Sequence, residues 1–232
     1  VRSFRRISLD ANRISDEAGG ELVHALIGHK DSLEYLSLGD NEIGVEGCKA
    51  LSKLLTTTTS TNKLTSLNLE NNLICDNAIA TLTMALCKNT TLKELNLSFN
   101  TAITQAGWQI FSTCLQGEES MLEKLNLSSI NIANEGISAL GDAMSSNTTL
   151  NTLDLYDINN NGEPLITYLG WDAFFICLRN NPSSALKQLD LRYSSIDEES
   201  LLGLANALGG QCSAITILDV SQNLHISASA WS

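Results

Sequence analysis

One apolar frame, LxxLxLxxNxI, recurs eight times along the chain, and its period leaves few folds open. Its clearest copies run Leu33-Glu34-Tyr35-Leu36-Ser37-Leu38-Gly39-Asp40-Asn41-Glu42-Ile43 and Leu64-Thr65-Ser66-Leu67-Asn68-Leu69-Glu70-Asn71-Asn72-Leu73-Ile74. The other copies open at Phe4, Leu92, Leu122, Leu150, Leu186 and Ile215, so the steps between openings are 29, 31, 28, 30, 28, 36 and 29 residues. Within the frame, apolar residues at positions four and six alternate with polar ones at five and seven. That period of two belongs to a strand with one buried face. After the frame, apolar residues return at helical spacing: Ala78, Leu82 and Leu86, then Gly107, Phe111 and Leu115, then Gly136, Leu140 and Met144. One strand and one returning helix cannot bury their own apolar side. The units therefore stack around a shared core with their strands in a parallel sheet. Helices need more room than strands, which places the sheet on the concave side of a curved solenoid and the helices on its convex side.

The 232 residues suit one solenoid spanning 1–232. Hydrophobic residues at 43% supply a continuous core, and two prolines with no long charged block argue against disorder. Twenty-six acidic against 14 basic residues give a net charge of −12. That sign disfavours nucleic acid, whose phosphates need Lys and Arg, and fits either a basic partner surface or solubility alone. No stretch approaches the roughly 20 apolar residues that span a bilayer, so no transmembrane segment is expected. The run Ala173-Phe174-Phe175-Ile176-Cys177-Leu178 is short and suits a core. Cys48, Cys75, Cys87, Cys114, Cys177 and Cys212 are dispersed with no CxxC pair. Five of them fall in the helical half of a repeat, where a small buried hydrophobe is wanted, so an intracellular, cytoplasmic setting is expected. An organelle reached through a removed targeting segment stays open. The sequons at Asn89, Asn96, Asn126 and Asn147 are read as chance, the middle two because they sit on strands.

The 28-to-29-residue period and helical return resemble the ribonuclease-inhibitor-like subfamily of leucine-rich repeats, and the resemblance covers essentially the whole chain. Members with this look include ribonuclease inhibitor, NOD-like receptor sensor domains and Ran GTPase-activating protein. The resemblance implies an α/β horseshoe of about eight repeats that binds proteins, without saying which, since fold alone does not give function. Neither end carries a recognisable polar cap, so the chain is expected to be a portion of a longer protein or to lean on a neighbour.

Outward strand positions form columns about 4.8 Å apart between strands. Position five reads Ser8, Ser37, Asn68, Asn96, Asn126, Asp154, Asp190 and Asp219; position seven reads Asp10, Gly39, Glu70, Ser98, Ser128, Tyr156, Arg192 and Ser221. Position eight reads Ala11, Asp40, Asn71, Phe99, Ser129, Asp157, Tyr193 and Gln222. Asp154, Asp190 and Asp219 stack as like charges, which calls for compensation by a basic partner, a cation or Arg192, unless Asp and Asn are merely common in this column. Phe99, Tyr156 and Tyr193 point outward where nothing in the fold requires a ring, and exposed Tyr and Arg are the residue types that dominate interface hot spots. Tyr156, Asp157, Asp190, Arg192 and Tyr193 thus mark the expected partner-binding patch, with Asp154, Asp219 and Phe99 as its extensions.

Position nine holds Asn12, Asn41, Asn72, Asn100 and Asn223, expected to be a buried structural ladder bonding backbone groups in the turn. Ile130, Ile158 and Ser194 replace it in the fifth, sixth and seventh repeats, where irregular turns are expected, and such departures tend to mark functional sites. The sixth repeat carries the one long insertion, within Asn159 to Gly170, either a binding-face loop or a tolerated surface loop. His24, His29 and His225 lack spaced ligand partners, and no phosphate loop, GxSxG elbow or HExxH motif occurs. No catalytic residue, metal or cofactor is expected. The sequence thus reads as a non-catalytic protein-recognition scaffold. Two alternatives stay open: a GTPase-activating regulator resembling the Ran activator, for which no residue here matches a catalytic motif, and a structural subunit of a larger complex.

Overall fold

The computed structural model describes residues 3–56, 62–116, 120–158, 166–210 and 214–224. Eight three-residue strands form one parallel sheet in the order β1 to β8: Arg6–Ser8, Tyr35–Ser37, Ser66–Asn68, Glu94–Asn96, Lys124–Asn126, Thr152–Asp154, Gln188–Asp190 and Ile217–Asp219. Among the described residues seven α-helices return the chain: α1 Asp16–Leu26, α2 Val45–Thr56, α3 Asp76–Leu86, α4 Gln105–Ser112, α5 Ala133–Met144, α6 Tyr168–Arg179 and α7 Glu198–Leu208. Single 3₁₀ turns follow α1 and α4, at Ile27–His29 and Thr113–Leu115. The register matches the frame, with Leu36, Leu67, Leu95, Leu125, Leu153 and Leu189 aligned at position four, all buried. The solenoid is the one the repeat implies. Among the described residues no helix is long and apolar enough to cross a membrane.

Close stacking of helices sets a column of small residues. A Cβ at Gly19 would meet Ile43 Cδ1 at 2.2 Å, one at Gly107 would meet Asp76 Oδ1 at 2.4 Å, and one at Gly170 would meet Asn134 Oδ1 at 2.6 Å. The last two contacts expose a second device. The opening residues of α1, α3 and α5 reach across to cap the next helix. Asp16 accepts the amides of Gly44, Gly47 and Glu46 at 2.8, 2.7 and 2.9 Å. Asp76 accepts the Thr104 amide and hydroxyl, each at 2.8 Å, and Asn134 accepts the Thr167 amide at 2.8 Å. Partial burial opposes the charge of Asp16, but donation from Gly47, Glu46, Gly44 and Val45 outweighs it and holds the carboxyl below its ordinary value. Asp16→Ala is therefore expected to cost about 1–2 kcal/mol of stability at neutral pH. The cost fades as pH falls through the depressed carboxyl pKa, which urea unfolding at several pH values checks.

The asparagine ladder forms as expected in the interior. Asn72 Nδ2 donates to the carbonyls of Leu38, Leu69 and Glu70 at 2.9, 3.1 and 3.0 Å, and its Oδ1 accepts the Ile43 amide at 2.8 Å. Asn41, Asn100 and Asn223 repeat this arrangement and are buried. Asn12 departs from the expectation. It bonds Leu9 and Asp10 carbonyls but is exposed, because no described strand stacks ahead of β1. Ser194 also departs, since it keeps a rung: its hydroxyl donates to the Leu155 carbonyl at 2.6 Å, and its amide reaches Asn223. Ile130 and Ile158 are fully buried and fill the same space with apolar surface.

The turns that lose asparagine keep their shape at position eight. All eight residues there, from Ala11 to Gln222, have φ between 46° and 63°. A second left-handed residue follows at Ala133 and Ser195, but also at Arg13, where Asn12 is present, so the extra twist does not track the substitution.

A second ladder lies at the other edge. Asn62, Asn89, Asn147 and Asn181 donate to helix-end carbonyls of Leu54, Leu55, Leu115 and Met144 at 2.9, 3.0, 2.8 and 2.7 Å. Asn89 and Asn147 are buried, which disposes of two sequons on structural grounds. Cys48 and Cys114 are buried as expected, whereas Cys75 and Cys177 are half-buried and Cys87 is exposed. In the sixth repeat the described part of the insertion turns Ile166 into the core and begins α6, whose Trp171 and Phe175 stack at 5.5 Å. Residues 159–165 of the insertion, Cys212 and His225 lie outside the described residues.

Candidate functional site

Strict register carries positions three, five and seven into columns on the concave face. In the N-terminal half these groups satisfy one another. Asp10 accepts the hydroxyls of Ser8 and Ser37 at 2.8 and 2.5 Å and the Gly39 amide at 2.7 Å. Asn68 Nδ2 donates to Ser37 Oγ at 3.0 Å, and Asn96 Nδ2 to Glu70 Oε2 at 3.1 Å. Burial opposes the Asp10 charge, yet donation from Ser37, Ser8 and Gly39 prevails and lowers its pKa. Of the positions expected to face outward, Ser37 and Gly39 are buried around Asp10, and three further serines do not project either. Ser98 and Ser128 fold back onto Asn96 and Asn126 Oδ1 at 2.7 Å each, and Ser129 reaches Asp157 at 3.3 Å. All three are buried, because a short hydroxyl finds its partner on the residue two before it, as in Ser98 and Ser128, or in the neighbouring turn, as in Ser129, instead of projecting from the face.

The C-terminal half is built differently. Asp154, Asp190 and Asp219 stack across β6, β7 and β8 as expected. Arg192 answers two of them. Its Nε lies 2.9 Å from both Asp190 oxygens, its Nη2 2.5 Å from Oδ2, and its Nε 3.5 Å from Asp219 Oδ2. The hydrogen bond to Asp190, together with its charge, raises the guanidinium pKa further above its ordinary value. The same guanidinium lies 5.2 Å from the Tyr156 ring centroid, a cation–π contact. Tyr156 meets Tyr193 edge to face, with centroids 5.6 Å apart and planes at 79°. The patch is thus one connected unit, Asp219–Arg192–Asp190 on one side and Arg192–Tyr156–Tyr193 on the other.

Asp154 is the member Arg192 leaves out. Among the described residues its carboxylate accepts one hydrogen bond, from the Tyr156 amide at 2.9 Å. Burial raises its pKa, and Asp190 adds to the rise, against the Tyr156 amide and Arg192. A raised carboxyl pKa means that the folded state disfavours the charge: the associated stability is present in acid and lost as pH rises through the folded pKa. Asp154→Asn keeps the acceptor and removes the charge. It is expected to raise the urea midpoint at pH near 7 and to leave it unchanged near pH 3; an equal gain at both would contradict this.

Phe99 and Asp157 fall outside the connected unit. Phe99 is 42% exposed on a left-handed backbone at φ 60°, with Ser129 separating it from Asp157 in the column. Asp157 accepts the Ser129 hydroxyl and donates its amide to the Arg192 carbonyl, a turn role. Tyr193 is also left-handed, at φ 54°, and 45% exposed.

Position three, not singled out in the sequence, adds two features. Arg6 stacks 3.6 Å over the Tyr35 ring, and Lys124 pairs with Glu94 at 2.7 Å. Between them the sheet floor forms an open concavity of about 350 Å³ bounded by Tyr35, Asn68, Glu94, Lys124 and Asp154. The alternation that revealed positions five and seven points to position three equally well. Among the described residues no group of three His, Cys, Asp or Glu side chains is placed to hold a metal ion.

The architecture defines a class, a leucine-rich repeat solenoid, and the comparisons agree. The family model "Leucine Rich repeat" matches residues 29–52, 88–108 and 120–141. Human NACHT, LRR and PYD domains-containing protein 13 is 28% identical over 209 residues, 90% of this chain and 19% of that protein. Ribonuclease inhibitor of Sus scrofa is 28% identical over 207 residues, 89% of this chain and 43% of that protein. The chain spans less than half the length of either curated relative. Among solved structures, a yeast Rad7 and Elc1 complex matches 98% of this chain and 59% of the matched chain at 17% identity, with a TM-score of 0.54, a likeness of fold. Leiomodin-1 actin-binding site 2 matches 76% of this chain and 80% of that one at 18% identity and a TM-score of 0.44. These likenesses support a leucine-rich repeat solenoid similar to those of the ribonuclease-inhibitor-like family.

Proposed function

We propose that this solenoid is a non-catalytic recognition module that binds a protein partner on its concave face, toward the C-terminal half. The observation that carries this reading is the connected patch of Tyr156, Tyr193 and Arg192. Two rings and a guanidinium are held in place before any partner arrives, so little side-chain freedom is lost on binding. The contrast with the other half supports it, since the polar groups around Asp10 are turned inward to one another. Asp154 gives the patch its preference. A partner Lys or Arg side chain supplies the direct ion pair that Arg192 gives to Asp190 and Asp219 instead, which fits the net charge of −12. The relative named ribonuclease inhibitor agrees with a protein as partner. The five described cysteines are free thiols, which supports a reducing compartment.

The test is affinity capture from native extract with the wild-type chain and the Tyr156→Ala/Tyr193→Ala variant side by side. Proteins retained by the wild type are expected to be strongly depleted on the variant. Equal retention by both would place the binding surface elsewhere.

A further inference from the structure

The position-five row of the concave face is tied together amide by amide until it reaches β5. Asn68 Nδ2 donates back to Ser37 Oγ at 3.0 Å, and Asn96 Nδ2 donates back to Glu70 Oε2 at 3.1 Å. Asn126 breaks the sequence. Its Oδ1 accepts the Ser128 amide and hydroxyl at 2.8 and 2.7 Å, but its Nδ2 has no bonded partner among the described residues. The group one repeat back that would take it is Ser98, whose hydroxyl is turned to Asn96 Oδ1 at 2.7 Å. The next residue in the row supplies the complement. Asp154 Oδ1 accepts the Tyr156 amide, and its Oδ2 accepts nothing among the described residues. Asp190, on its other side, is itself an acceptor and is held by Arg192. Asn126 and Asp154 are register partners on β5 and β6. An unused donor and an unused acceptor thus stand side by side, one strand spacing or about 4.8 Å apart. Both line the open concavity of about 350 Å³ on the sheet floor. On its position-three side Lys124 and Glu94 neutralise each other at 2.7 Å, so that wall asks for no counter-ion.

We propose that Asn126 and Asp154 hold the main chain of an extended partner segment. Asn126 Nδ2 donates to a peptide carbonyl, and Asp154 Oδ2 accepts the N–H of the same partner residue. An extended residue presents its N–H and C=O to one side, as in the paired bonds of an antiparallel ladder. An Asn amide beside an acceptor-only carboxylate is the complement of that pair. This rests on the concave face being the partner's seat, and it adds what the partner presents there: a linear segment recognised through its backbone. Main-chain hydrogen bonds supply affinity in such recognition, and neighbouring side-chain contacts supply selectivity. Tyr156, Tyr193 and Arg192 stand beside Asp154 to provide the second. A partner Lys or Arg reaches the same carboxylate, whose oxygens accept more than one bond each.

The probe is a library of random linear decapeptides displayed on phage and selected on the full chain. The enriched peptides are then made synthetically and titrated against variants, with circular dichroism to verify folding. Asn126→Asp keeps the oxygen that holds Ser128, as Asp154 and Asp219 hold Tyr156 and Ser221, and removes only the donor. It is expected to weaken binding about tenfold. Ser128→Ala, which alters the turn and leaves Nδ2 in place, is expected to bind as the wild type does. Methylating one peptide backbone nitrogen at a time is expected to find a position where binding falls about tenfold although alanine is tolerated at that residue. A peptide held only through a basic side chain would instead gain from the carboxylate that Asn126→Asp adds. That gain, indifference to Asn126→Asp, the lack of any sensitive backbone nitrogen, or failure to enrich any peptide would each overturn the proposal. The concave-face reading fails separately, if capture from native extract is indifferent to Tyr156→Ala/Tyr193→Ala.

Discussion

Asn72→Ala is expected to lower the unfolding free energy by about 3–5 kcal/mol, among the largest losses any single polar substitution in this chain produces. One amide group serves four backbone groups from two repeats: the carbonyls of Leu38, Leu69 and Glu70 and the amide of Ile43. Asn72 is 6% exposed, so water does not replace what alanine removes. Each buried orphan costs about 1–3 kcal/mol, and partial relaxation keeps the total below the simple sum. Asn12→Ala is the internal control. The same residue type bonds two carbonyls there but is exposed, and the expected loss is below about 1 kcal/mol. Urea unfolding followed by circular dichroism checks both. Equal losses at the two positions would mean that the ladder acts through something other than buried hydrogen bonds.

The second large effect concerns binding. Tyr156→Ala with Tyr193→Ala is expected to weaken partner affinity about 100-fold, close to 3 kcal/mol. The two rings contact each other, and Arg192 rests against one of them. Their removal deletes contact area and also frees the guanidinium from its fixed place. Arg6→Ala with Tyr35→Ala removes a comparable aromatic and cation pair at the other end of the sheet, and affinity is expected to stay within about threefold. Titration of the captured partner against the three chains, with circular dichroism to verify folding, distinguishes the outcomes. A larger loss from the Arg6 and Tyr35 pair would move the binding surface to the N-terminal half.

The fold was legible because its signal repeats at nearly constant spacing. Leu36, Leu67 and Leu95 occupy one frame position in three copies and one sheet layer in the structure. The helix-capping carboxylates Asp16 and Asp76 and the second ladder of Asn62, Asn89, Asn147 and Asn181 were not legible. The carboxylates stand twelve residues after the frame openings at Phe4 and Leu64, but Val45 and Thr104 hold that place in the alternate repeats and hide the pattern, while the second ladder lies two to five residues ahead of the next frame, with no constant spacing. In the site, the stack of Asp154, Asp190 and Asp219 followed from the frame, as did the adjacency of Tyr156 and Tyr193. The bidentate reach of Arg192 did not, because it depends on a side-chain rotamer. Nor did the inward turn of Ser98, Ser128 and Ser129, since a period of two gives the direction of a Cβ and not the partner of a hydroxyl. Ser194 shows the limit from the other side: a change of residue type at position nine preserved the rung because a hydroxyl can donate to the same carbonyl.

Hydrogen exchange on the chain with and without its captured partner tests the central claim most directly. The account predicts new protection at backbone amides of residues 154–157, 190–194 and 219–222, with the convex helices α3 to α5 unchanged. Protection confined to those helices, or to the strands from β1 to β3, would contradict it.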